Sequence, residues 1–439
     1  MSFTGTIQNC FDSHVHWLAT GQAQMRLLLR DLKSASEVKN LKVDKNFFRG
    51  EWLVGFGWDD NRWESRDLPT RITLDKVFPN FPVSFSRADG HALWVNTLAL
   101  KLSGLWQKDL PDPSGGKIIK DESGWPTGVL IDMADAAVFA KIPPPSFLQI
   151  KESLLAGMNI FNREGFTHIR DMTCNLSQWN ASVELDQKKS LTLAVEQYFN
   201  ADDPKNFDRV LDFVSAAKKS ATTNLRPKGL KVYFDGALGS EGALLSQCYC
   251  GKNHKGLQII SVDLLEEIMM ATWDKSFELA VHAIGDAAAH LVLTTANKVW
   301  TKYPNGILHI EHAEILRPDS IALMKKQNVR CHLQPCHWLS DKSFLKDKIG
   351  TLFEHVFPWQ TLLQNEIPFD FGSDSPIEPP SLNDNYRAVQ ELVKQGIGLQ
   401  EVEVAKYQTH HDIDWTPRTR TYFHQSNVEA VFFRGEKLF

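Results

Sequence analysis

The sequence predicts an α/β protein built as a (β/α)8 barrel with a large insertion after its first strand. Three observations point there. Eight short apolar runs of strand type recur along 439 residues. Segments with apolar positions at helical spacing lie between them, and one interval is far longer than a strand and helix repeat requires.

The runs are NCFDSHVH at 9–16, FTHIRDM at 166–172, LTLAVEQYF at 191–199, LKVYFD at 230–235, FELAVHAIGD at 277–286, GILHIEHAE at 306–314, VRCHLQPCHW at 329–338 and IPFDFGSDSP at 367–376. From the second onward they recur every 20 to 55 residues or so, as a strand, helix and loop unit demands. DPKNFDRVLDFVSAAKK supplies a helix before the fourth run, and SVDLLEEIMMATWDK supplies one before the fifth. The interval of about 150 residues after the first run is the insertion. The expected organisation is residues 1–17 with barrel strand one, an inserted cap subdomain at 18–150, the rest of the barrel at 151–400, and a tail at 401–439.

The insertion holds six of the thirteen tryptophans and turn signals such as PDPSGG. Leaving from the C-terminal end of strand one, it is expected over the barrel mouth, the face where such barrels place their chemistry. Trp58 and the segment DGHALWVN, with His91, are therefore candidates to line a substrate pocket, although buried tryptophans commonly only fill cores.

Composition narrows the function. A formal net charge of -5 provides no basic surface for nucleic acid, and the pairs Lys188-Lys189, Lys218-Lys219 and Lys325-Lys326 read as solvated helix faces. Six cysteines without a C-x-x-C pair indicate neither a disulfide framework nor a zinc knuckle. With no leader pattern and no stretch of 18 apolar residues, the expectation is a soluble cytoplasmic protein. Its partner is expected to be a small-molecule substrate, with no nucleic acid or membrane; a homodimer is one candidate oligomeric state.

His14-Val15-His16 alone is weak, since fifteen histidines predict about half of one H-x-H pair by chance. Its place at a strand end is what gives it force: residues two apart on a strand share a face, so both imidazoles could reach one metal. His282, His312 and Asp374 close three more runs in the same way. A histidine at a strand end is often purely structural, but four converging strand ends with N and O ligands suit Zn²⁺, Mn²⁺ or Fe²⁺. Lys231 interrupts the fourth run. Burial would lower its pKa, making it a neutral amine able to add CO₂ as a carbamate that bridges two metals; the other reading is a partly exposed lysine at a strand edge.

Together FDSHVHW, SRADGHALWVN, GVLIDMA, LKVYFDGALGS, VHAIGD, HIEHAE and FGSDSPI run in order over most of the chain. They resemble the amidohydrolase superfamily, specifically its YtcJ-like metal-dependent branch, which includes N-substituted formamide deformylase. The resemblance implies two divalent ions, zinc by expectation. His14, His16, Lys231 as a CO₂-derived carbamate, and Asp374 would hold one; the same carbamate, His282 and His312 would hold the other. It implies hydrolysis of a non-peptide carbon–nitrogen bond by a hydroxide shared between the ions, with Asp374 moving the proton. Trp58, His91, Gln334 and His337 are the candidate substrate contacts. The sequence departs from the family at both ends: about ten residues precede strand one, and the usual Gly-Lys-x-Ala-Asp segment is missing. VEAVFFRGEKLF at 428–439 resembles a final sandwich strand, so the family's β-sandwich is expected to be reduced or absent.

Two other functions compete. A one-metal deaminase on the same barrel would want a glutamate beside the strand-five histidine and no strand-four lysine, whereas Ala-Ile-Gly-Asp follows His282 and Lys231 is present. A degenerate, non-catalytic ligand-binding barrel would be motivated by the shortened sandwich and the polar tail QTHHDIDWTPRTRTYFHQ, but all six ligands survive. In that tail His410 and His411 are expected to be exposed, since adjacent loop residues chelate poorly.

Overall fold

The computed structural model describes residues 3–60, 63–64, 68–87, 92–113, 116–201, 203–325, 327–396, 404–410 and 418–438. The chain divides into two compact units, one of Met1–Gly21 with Ile150–Phe439, the other of Gln22–Gln149.

The first unit is a (β/α)8 barrel. Its parallel strands are β1 (Phe11–Val15), β2 (His168–Cys174), β3 (Ala194–Asn200), β4 (Leu225–Tyr233), β5 (Glu278–Ala283), β6 (Leu308–His312), β7 (Val329–Leu333) and β8 (Phe369–Phe371), each hydrogen-bonded to the next in chain order. Strands covered on both faces favour apolar sequence, and β6 is buried at all five positions although His309, Glu311 and His312 are polar. The helices turn one stripe inward: in Asp286–Trp300 the buried set includes Ala289, Val292, Leu293, Ala296 and Val299. Helix Val262–Asp274 starts cleanly because the Ser261 side chain accepts from the Leu264 amide.

Closure brings the ends of β1 and β8 together. Val15 bridges Ser375 in parallel, His16 N donates to Ser375 O at 2.8 Å, and Asp374 N donates to His14 O at 2.8 Å. Gly372 makes this approach possible, since a Cβ there would lie 2.5 Å from His14 N and 2.8 Å from its Cβ. Backbone cannot move aside as a flexible side chain can. Gly372→Ala is therefore expected to cost about 1–3 kcal/mol of unfolding free energy, as overpacking does. A denaturant midpoint equal to that of the unsubstituted protein would show that β1 retreats freely.

Of the two forms expected for the sandwich, the structure has the reduced one. It is a four-stranded antiparallel sheet ordered Gly5–Gln8, Thr419–His424, Asn427–Phe433, Glu436–Lys437. The segment read as one final strand is two, reversing at Arg434 and Gly435, both at positive φ.

The second unit is a mixed sheet, with core strands Trp52–Trp58, Val83–Arg87, Ala92–Val95, Pro126–Asp132 and Gly116–Lys120. Trp58, Trp63, Trp94 and Phe85 pack together inside it. Among the described residues no helix is long and apolar enough to cross a membrane.

Candidate metal centre

Six barrel strands, at or just beyond their C-terminal ends, deliver ionisable side chains to one cavity of about 400 Å³, lined among others by His14, His16, Lys231, His282, His312, His337 and Asp374.

From β1, His14 is fully buried, and its Nδ1 lies 2.6 Å from Glu311 Oε2 on β6. A carboxylate can only accept, so Nδ1 carries the proton and Nε2 keeps its lone pair. Glu311 is held in turn by Arg170 Nη1 on β2 at 2.8 Å. Burial alone would raise the Glu311 pKa, but the Arg170 guanidinium, with the neighbouring His332 and His14 rings, holds it well below the carboxylate range. His16, just past β1, approaches Thr173 Oγ1 at 3.2 Å through Nδ1 and Asp374 Oδ1 at 2.9 Å through Nε2.

Asp374 lies beyond β8. Its Oδ1 is 3.3 Å from His14 Nε2, and its Oδ2 is 3.5 Å from His337 Nε2. Burial would neutralise it, yet the surrounding imidazoles, His14 foremost with His16 and His337, keep its pKa well below normal. Asp374 and His312 both have left-handed backbone, with φ of 60° and 74°. Such conformations cost about 1–3 kcal/mol each and persist where the surroundings over-determine them.

His282, one residue before the end of β5, has its Nε2 turned to the Gly236 carbonyl at 3.4 Å, and its ring stands 4.4 Å from that of His312. Burial and the neighbouring Lys231 push His282 down to about 3; burial with His282 and His14 pushes His312 well down. Both are therefore neutral at pH 7, the state a metal needs from imidazole. Lys231 on β4 is fully buried with no hydrogen-bond partner at Nζ, and burial lowers its pKa to about 8.

The ligand atoms of His14, His312 and Asp374 all lie within 4.8 Å of one another, as do those of His312, Glu314 and His337. His14 Nε2, His312 Nδ1, His337 Nε2 and Lys231 Nζ are buried without hydrogen-bond partners. Orphaned polar atoms in one cavity, drawn from imidazole, amine and carboxylate, fit divalent ions of intermediate softness.

An amidohydrolase family model matches residues 11–393, well over half of the sequence. The chain belongs to the amidohydrolase family. It is 31% identical over 376 residues to the YtcJ amidohydrolase of Bacillus subtilis (strain 168), covering 84% of this chain and 70% of that protein. It is 26% identical over 342 residues to the N-substituted formamide deformylase of Arthrobacter pascens, covering 76% of this chain but 62% of the relative. A crystal structure of an uncharacterized metal-dependent hydrolase from Pyrococcus furiosus superposes with a TM-score of 0.70 at 25% identity, over 88% of this chain and 76% of that one.

The remaining expected contacts of this amidohydrolase fare differently. His337 lines the cavity, its Nδ1 2.7 Å from Glu314 Oε1. Gln334 is buried at the start of helix Pro335–Asp341, donates to His332 O at 3.0 Å, and is not among the cavity-lining residues. Trp58 is fully buried in the core of the other unit, where its indole N–H donates to Phe85 O at 2.8 Å. Packed on all sides, it has no face to offer a ligand. His91 and His411 lie outside the described residues. His410, expected to be exposed, is buried: Phe11 meets its ring edge-on, His168 stacks on it, and Glu196 Oε1 lies 3.4 Å from Nε2. The Glu196 carboxylate and the two rings give this imidazole what solvent would otherwise supply.

Three residues absent from the expected set shape the amidohydrolase site. Glu311 and Arg170 orient His14. Asp235 accepts from the amides of Leu244, Ile284 and Gly285 at 2.8 to 3.0 Å, tying the loop after β4 to the end of β5.

Proposed function

We propose that this amidohydrolase is a metal-dependent hydrolase of a small-molecule carbon–nitrogen bond of amide type, outside peptides. The observation carrying the reading is the set of unpartnered buried nitrogens, with Asp374, at the ends of the barrel strands. His14, His16, Lys231 and Asp374 would hold one divalent ion; Lys231, His282 and His312 would hold the second. Lys231 fits the bridging role as a carbamate because burial favours its neutral amine, the form that adds CO₂.

Ions bound there supply a water of lowered pKa and polarise the scissile carbonyl. The protein does the rest. Asp374 accepts the proton of the attacking water at a carboxylate oxygen and returns it to the departing nitrogen, so that collapse leaves a carboxylate and an amine. His16 and His337, on its two oxygens, hold that carboxylate in place. Tyr233, Leu238, Ile284 and Ile377 give the cavity an apolar wall that suits a hydrophobic substituent.

Metal quantification on purified protein, followed by a panel of N-acyl amines with and without chelator, tests this. About two equivalents of metal per chain and turnover abolished by chelator are expected. Turnover that survives complete metal removal would refute the reading. One equivalent of metal with an unmodified Lys231 in a crystal structure would favour the one-metal deaminase instead.

A further inference from the structure

Besides Asp374 and the apolar side chains, the same cavity is lined by three further carboxylates, Glu314, Asp341 and Glu378. Among the described residues no lysine or arginine nitrogen comes within 4.0 Å of any of them. Lys348, whose charge reaches Asp341, donates to the Gly239 carbonyl at 2.5 Å and lies 3.9 Å from Glu241. Ser340 donates to Glu378. One oxygen of Glu314 is bonded to His337; the other, Oε2, is buried with no partner on a residue 2% exposed. A buried carboxylate oxygen left unbonded at the edge of a cavity calls for a donor from outside the chain. The charge here is only partly compensated: His337, its pKa raised well above normal by Asp374 and Glu314, pairs with Glu314, while burial and the like charges of Glu314 and Glu378 still push Asp341 up to about 7.

We propose that Glu314, Asp341 and Glu378 form a subsite for a cationic amino group of the substrate, which is then an amide bearing a primary ammonium on a short apolar chain. This deepens the proposed function and rests on it for the word substrate, not for the binding itself. The apolar wall of Leu238, Ile284 and Ile377 would take the chain's methylenes and the carboxylates its charged end. An ammonium offers three donors, one for each acid.

Calorimetric titration of the metal-loaded protein with n-butylammonium, and separately with 1-butanol, tests the subsite without requiring turnover. Butylammonium is expected to bind at least about tenfold more tightly than butanol, with that preference falling toward one in Asp341→Asn and Glu378→Gln. Both positions are partly exposed, so these variants keep the fold. Equal binding of the two probes by the unsubstituted protein, or an undiminished preference in both variants, would overturn the proposal. An additional equivalent of metal in the unsubstituted protein that both variants lose would also overturn it, because the acids would then be metal ligands. None of these outcomes depends on chelator-sensitive hydrolysis, so failure of the subsite and failure of the proposed activity are read separately.

Discussion

Asp374→Asn is expected to lower kcat by about 10²- to 10⁴-fold while the protein keeps its metal, the range over which a positioned acid–base group contributes. The amide matches the carboxylate in shape and leaves a carbonyl oxygen for His14 and His16, 3.3 and 2.9 Å from Oδ1. It cannot take up a proton and hand it on. Metal analysis and steady-state turnover on the same preparation give the answer. Kinetics close to those of the unsubstituted enzyme would remove Asp374 from proton transfer, whereas loss of metal along with activity would make it chiefly a ligand.

The second large effect concerns Glu311. Its ion pair with Arg170 is buried at both ends, with side chains 0% and 1% exposed. Removing one partner of such a pair strands the other charge, so Glu311→Ala is expected to cost about 3–5 kcal/mol of stability in denaturant unfolding. It also frees the His14 ring, and loss of an orienting carboxylate commonly costs about 10- to 100-fold in metal affinity. The two consequences separate in the double variant Arg170→Met with Glu311→Leu. An apolar pair of similar volume should recover much of the stability, but metal affinity should stay low because nothing then fixes the Nδ1 proton of His14. Recovered affinity in that variant would reduce Glu311 to a purely structural part.

The barrel was legible because its strands need unbroken apolar runs, and because polar residues that interrupt those runs stand out. His14, His16, His282, His312 and Asp374 each interrupt the end of a run, and the structure gathers them with Lys231 around one cavity. Glu311 in GILHIEHAE and Arg170 in FTHIRDM carry the same signal as Lys231, a charge within an apolar strand. What the sequence lacks is their pairing. They are 141 residues apart, and the strand register and inward direction that join them exist only in three dimensions. Trp58 shows the reverse failure: an aromatic residue reads alike whether it lines a pocket or fills a core, and Trp63 and Trp94 decide the matter by packing on it. At His410 the sequence neighbours suggest exposure, whereas Phe11, His168 and Glu196, brought in from three barrel strands, surround it.

The small antiparallel sheet pairs Gly5–Gln8 with Thr419–His424, so segments more than 400 residues apart share one ladder. During biosynthesis Gly5–Gln8 must therefore wait for the more than 400 residues up to its partner strand to leave the ribosome before its edge is covered. Ladders closed over such a span form slowly, because the entropy of bringing the ends together falls due before any contact repays it. In refolding, amide protection at Ile7 should accordingly arrive later than at Val281, whose neighbouring strands are local in sequence.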